Sequence, residues 1–294
     1  MCMGLGCNAA GVVGCRIIES KREKLVAILT NSFMPCNGRF PFLIAIATIF
    51  IGSYFTGAMQ SVASTIAVLC IIILGILLTL LISKILSKTV LKGMPSSFIL
   101  ELPPYRKPQI GKILVRSIFD RTLFVLGRAI EIALPAGIII WLFANIQIGG
   151  TSILSIVANF LNPFAKLMGL DGYILTAFIL GLPANEIVLP IILMSYIGQG
   201  TLVDLEETSA IKDILLANGW TILTGINVML FTLLHFPCGT TLLTIKKETG
   251  RWKWTLLSFA LPTVCRNCIV YVYHADLEMC GIFTMMKNSQ KISL

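Results

Sequence analysis

The chain of 294 residues is 56% hydrophobic and only 13% charged, and its mean hydropathy is +0.88. That balance excludes an ordinary soluble domain and fits one membrane-embedded helical bundle. The formal charge of +9 does not point to nucleic acid, because the basic residues lie between apolar runs without interleaved aromatics, as they do in cytoplasmic loops.

Cys2 to Gly14 is rich in small residues with no basic stretch before it, so no signal peptide is expected. It holds a small-residue break, GCNAAG (6–11), with Cys7 and Asn8. A short apolar piece, 25–34, runs into FMPCNGRFP (33–41), where Pro35, Cys36, Asn37, Gly38 and Arg39 interrupt it before apolar sequence resumes over 42–57. A further span covers 62–83. The polar connection 84–121 follows, with eight Lys/Arg against two acids. Its ELPPYRKP (101–108) must be extended or turned, and 110–121 reads as a basic amphipathic helix along the membrane surface. The span 122–146 opens with Arg128 and Glu131, spaced as a helix-face ion pair. Residues 151–168, with Asn159, Pro163 and Lys166, read as an interfacial helix. Apolar spans return at 173–197, 219–245 and 255–275, and the first of these carries GLPANEIVLP (181–190).

Loop charge sets the expected topology. Residues 16–24, 84–121 and 246–253 are basic and should be cytoplasmic, whereas 145–172 and 198–218 should face out. A full crossing by 173–197 would reverse two of those assignments. The conflict disappears if that segment enters and returns on one side, with a re-entrant turn at about Leu182–Asn185.

The chain also repeats itself. ILTNSFMPC (28–36) and LFTLLHFPC (230–238) share Thr, Pro and Cys in register, and each follows an Asn-bearing break, GCNAAG or GLPANE (181–186). Paired interruptions in corresponding halves point to the central site of a transporter. Backbone groups left unpaired in lipid are costly, so protein, water or a ligand must satisfy them. Pro35 frees a carbonyl near Asn31, and Pro237 frees one near Leu233; Gly38 and Gly239 let the chain change direction. A thiol beside freed carbonyls suits a cation. Cys36 and Cys238, with Asn37 and His235, suit Fe(II), Zn or Cu(I) better than sodium or magnesium, and Arg39 would favour thiolate at Cys36. His235 reads equally well as a packed or pore-facing histidine without metal. Glu186, inside an apolar stretch, is placed to coordinate an ion, carry a proton, pair with a lysine or brace the turn. The nine cysteines (2, 7, 15, 36, 70, 238, 265, 268 and 280) are odd in number and lie mostly in or beside apolar segments, which excludes a secreted disulfide framework. No P-loop, HExxH or G-x-S-x-G motif occurs.

GCNAAGVVGCRIIESKREKLVAILTNSFMPCNGRFP, ELPPYRKP, GLPANEIVLPIILM, HFPC and KKETGRWKW, in that order over about residues 3–262, resemble the membrane half of ferrous iron transport protein B. The resemblance implies an all-α polytopic bundle with two Gate segments: a first unit over 1–83, the cytoplasmic loop 84–121, a second unit over 122–263 and an atypical tail over 264–294. It implies Fe(2+) as transported ion and a Pro-Cys element in each Gate segment, here Cys36 and Cys238; the reading of the breaks adds Asn37, Asn185, Glu186 and His235 as metal-facing candidates. Cys7, Asn8, Pro35, Gly38, Pro183, Pro237 and Gly239 mark the other gate positions. It further implies a multi-pass protein of the bacterial cell membrane whose missing N-terminal part supplies a G domain, with GTP and Mg confined there, and more membrane helices. The chain itself is then no enzyme and binds no permanent cofactor. The partners expected are the bilayer, the missing half, small cytoplasmic accessory proteins and further copies of the chain. The tail departs from the pattern: Cys265-x-x-Cys268 with His274 lacks the roughly four ligands of a closed zinc site, and a drifted or frame-shifted sequence explains it better. A gate-type transporter of another solute, such as a nucleoside, and a non-transporting fragment or accessory subunit are the alternatives.

Overall fold

In the computed structural model the described residues are 2–89, 123–198 and 208–279, with positions 109, 111, 112, 115 and 119; side chains at 124, 125, 128 and 268–279 are not described. The ELPPYRKP stretch, most of the 110–121 helix, the Arg128–Glu131 pair and the Cys265–Cys268–His274 arrangement therefore lie wholly or partly outside the described residues.

The first half runs α1 (Met3–Gly6), α2 (Asn8–Gly14), α3 (Lys21–Thr30), α4 (Phe40–Ile46) and α5 (Ala58–Lys88). The second half runs α6 (Phe124–Asn145), α7 (Ile153–Lys166), α8 (Gly172–Leu180), α9 (Val188–Ile197), α10 (Thr208–Ala217), α11 (Ile222–Leu233), α12 (Gly239–Thr249) and α13 (Trp252–Met279). One small antiparallel ladder, Gln147–Ile148 with Thr151–Ser152, is the sheet among the described residues. The protein is an all-α membrane bundle. Lys21–Tyr54 and α5 are each long and apolar enough to cross a bilayer, while α10 and α11 qualify only as a pair bent by 109°. The 25–34 piece and the 42–57 span thus belong to one broken crossing. In α5, Ser64, Ile71, Gly75, Thr79, Ile82 and Leu86 recur at helical spacing and turn inward, while Ile66, Leu69, Ile73, Leu77 and Leu80 stay exposed, as a lipid-facing surface would.

Segment 173–197 folds back on itself as a helical hairpin. Asp171, the N-cap of α8, accepts hydrogen bonds from Ile174 N (2.8 Å) and from the Tyr196 hydroxyl near the end of α9. Tyr173 and Tyr196 stack edge to face at 5.7 Å. Both ends of the hairpin therefore lie together. Its arms of 9 and 10 residues rise about 15 Å each, half of a hydrocarbon core. The reversal uses Gly181 to Ala184, followed by a 3-10 turn at Asn185–Ile187. The outward loop expected over 198–218 is a loop only in part: α10 occupies its second half and buries Ile211 and Leu215 at i, i+4.

The regions expected to share a face do meet. Arg16 holds Glu248 through two contacts of 2.8 and 2.5 Å, and Arg22 donates to Ser87 O at 2.9 Å. Phe50, at the other end of the broken crossing, stacks on Trp220 at 5.7 Å, and Trp220 Nε1 donates to the Tyr196 hydroxyl at 2.8 Å. The tail is more regular than its sequence implies, because α13 continues through 264–279 and Arg266 is buried, its guanidinium 4.2 Å from the Phe231 ring centroid.

Candidate functional site

Two Pro-Cys breaks sit at the centre. After α3 the chain tightens into a 3-10 turn, Asn31–Phe33, and runs extended through Met34 and Cys36 before a second turn, Asn37–Arg39, opens α4. After α11 it is irregular from Leu234, and Cys238 N-caps α12. Both cysteines are extended, with φ/ψ of −88/166 and −61/158. The upstream breaks match more closely. Cys7 (−150/125) and Ala184 (−148/124) have the same backbone conformation, each directly before an asparagine, Asn8 or Asn185, that begins the next turn. The repeat is therefore present in the backbone. The second copy holds α10 between its two breaks, where the first has only the short link from Cys15 to Ser20.

The copies pair crosswise. Asn185 brings its amide to 4.0 Å from Cys36 Sγ. Glu186 lies over Gly38, where an added Cβ would stand 2.9 Å from Glu186 Cγ and 3.0 Å from Oε1. Gly239 N donates to Leu182 O at 2.8 Å, so the hairpin turn touches both Pro-Cys breaks. In return, α2 packs against α12. Cys238 Sγ is 3.2 Å from Thr241 Oγ1. Cys36 and Asn185 are buried, whereas Asn37, Glu186 and Cys7 are exposed on this chain. Asn185 Oδ1 is buried without a hydrogen-bond partner.

The freed carbonyls are not left for an ion, contrary to the expectation from Pro35 and Pro237. Asn31 O accepts from Met34 N at 3.3 Å and, in the orientation that satisfies the Asn8 amide, from Asn8 at 3.3 Å. Leu233 O accepts from Arg39 at 3.0 Å. Arg39 also donates to Ser32 O (3.4 Å), His235 O (2.9 Å) and Phe236 O (3.2 Å). Its direct bonds go to backbone oxygens of both breaks, not to Cys36. The reason is geometric: three residues past Cys36, the α4 entry turn points the side chain into the junction where carbonyls have no amide partner. His235 sits in an aromatic box with ring centroids of Phe178 and Phe236 at 5.0 and 3.7 Å; Nε2 is 3.1 Å from Phe178 O, and Nδ1 has no partner. Pro35 is buried beside Cys36, and Pro183 lies in the hairpin reversal. Among the described residues, no group of three or more His, Cys, Asp or Glu is arranged to hold a metal. An ion here would need mixed sulfur, carboxamide and carboxylate donors.

Residues 68–120 match the family described as ferrous iron transport protein B C terminus, and residues 126–252 match the Gate family described as nucleoside recognition. Over 282 residues the chain is 30% identical to the Fe(2+) transporter FeoB of Staphylococcus aureus (strain COL), covering 93% of this chain and 40% of that protein. The chain resembles the membrane part of ferrous iron transport protein B over most of its length. The Fe(2+) transporter FeoB of Methanocaldococcus jannaschii is 29% identical over 286 residues, covering 92% of this chain and 40% of its own length. That of Leptospira interrogans is 27% identical over 284, covering 88% and 40%. The chain thus spans about two fifths of the length of the curated relatives it matches. Coverage of 93% carries the likeness past residue 264, into the segment read as drifted. No solved structure matches.

Proposed function

We propose that this chain forms the ion-conducting membrane portion of a ferrous iron uptake protein of the bacterial cell membrane, working with a G domain carried by the remainder of that protein. The observation that carries the reading is the meeting of the Asn185 side-chain amide, through Nδ2, with Cys36 Sγ, 149 residues apart, while Oδ1 of the same amide is buried without a partner. A buried acceptor without a donor is costly unless something fills the place beside it. Thiolate sulfur with one carboxamide oxygen and the Glu186 carboxylate is a borderline-soft donor set, suited to Fe(2+) as cargo. The chain contributes binding and passage only. GTP and Mg would act in the absent domain, and its nucleotide state would bias the crosswise contacts between the two breaks.

Ferrous uptake by cells expressing the complete protein tests this. Cys36→Ser and Cys238→Ser should each lower uptake about ten-fold or more, since serine keeps the shape and removes the soft donor. Unchanged uptake in the double serine variant would reject the thiols as ligands. The nucleoside-recognition likeness of residues 126–252 favours one second reading, an organic solute, which that variant would still carry. The 40% span favours another, that the chain alone is inactive; uptake appearing only when the remainder is co-expressed would identify it as one part of a composite transporter.

A further inference from the structure

Arg39 is fully buried, and no carboxylate pairs with it among the described residues. Its four acceptors are all backbone oxygens. One, Ser32 O, lies just past the end of α3; the others, Leu233 O, His235 O and Phe236 O, lie at and past the end of α11. Each helix directs the negative end of its dipole there. Converging carbonyls at helix C-termini are the donor set that replaces the hydration shell of a hard cation. Here the cation in that set belongs to the protein. A guanidinium is permanently charged and presents five N–H donors, enough for four oxygens that point in different directions.

We propose that Arg39 is the resident cation of an oxygen cage between the two breaks, and that it sets ion selectivity by denying those oxygens to hard cations. The statement rests on the transport reading and names its specificity determinant. With the cage filled, the donors left to a passing ion are the sulfurs and the Asn185 and Glu186 side chains, which favour a softer ion. With the cage emptied, the carbonyls become a site for calcium or sodium.

The test uses proteoliposomes containing the complete protein that carries this chain, with radioactive calcium and ferrous influx measured in parallel. Wild type should keep calcium influx near that of protein-free vesicles. Arg39→Gln should raise calcium influx about ten-fold, and millimolar guanidinium ion should return it toward the wild-type level by refilling the cage. Arg39→Lys offers three donors to four oxygens and should fall between, at about three-fold. Gel filtration in detergent confirms that each variant is folded. A folded Arg39→Gln protein with wild-type calcium exclusion would overturn the proposal, as would a calcium leak that guanidinium leaves unchanged, which marks a generally loosened bundle. If Arg39→Gln fails to fold, Arg39→Lys decides: intermediate calcium influx supports the cage, and wild-type exclusion rejects it. Ferrous influx in wild type is read separately. Its absence would reject the transport reading, while the calcium comparison between variant and wild type would still judge the cage.

Discussion

Asn8 and Asn185 occupy the same backbone position in the two upstream breaks, yet their side chains do different work. The Asn8 side chain closes the first break, donating to Gly4 O at 3.1 Å and Asn31 O at 3.3 Å, while the Asn8 backbone oxygen accepts from Asn31 Nδ2 at 2.9 Å. Asn185 turns its Nδ2 toward Cys36 Sγ and leaves its Oδ1 buried and unpaired. Asn8→Ala should therefore cost about 1–3 kcal/mol, seen as a lower melting temperature in detergent, because buried carbonyls lose their donor. Asn185→Ala should leave the melting temperature nearly unchanged and lower ferrous uptake. Glycines separate in the same way. A methyl at Gly38 meets the flexible end of Glu186 and should cost under about 1 kcal/mol while reducing uptake. A methyl at Gly172 overlaps the Ala158 carbonyl, which is backbone and cannot swing aside, so Gly172→Ala should cost about 3 kcal/mol.

The hairpin α8–α9 is short, and its stability comes from its ends. Asp171 caps α8 with one oxygen and binds the Tyr196 hydroxyl with the other, and Trp220 ties that hydroxyl to the start of α11. Asp171→Ala should remove the cap and the charge-assisted hydrogen bond together, about 2–3 kcal/mol. Amide hydrogen exchange should then quicken across 172–197 more than in α5. Equal acceleration in both would mean that the hairpin is not closed by this network. Tyr196→Phe should give a smaller effect of about 1 kcal/mol, since the cap survives.

The two halves of the molecule are joined at one end by Arg16 and Glu248 and in the middle by Arg39. The outer link is weaker. The Arg16 side chain is 58% exposed, so solvent screens the pair despite its two contacts, and Arg16→Ala should cost about 1 kcal/mol, less at high salt. Thermal unfolding at low and high ionic strength checks the sign: the gap between variant and wild type should narrow as salt rises.

The chain's own residue order was enough to locate both Pro-Cys breaks, the return of 173–197 and the regions that share a face. Proline and glycine act on the backbone where they stand, and a charge reports its own loop. α10 escaped because its Ile211 and Leu215 stripe is short and set among acids. Only the tertiary structure decided that Asn185 reaches Cys36, that α2 packs on α12, and that Arg39 bonds to carbonyls 194 to 197 residues away. A long side chain finds whichever buried oxygen lacks a donor, and that depends on where two separate broken helices end relative to one another.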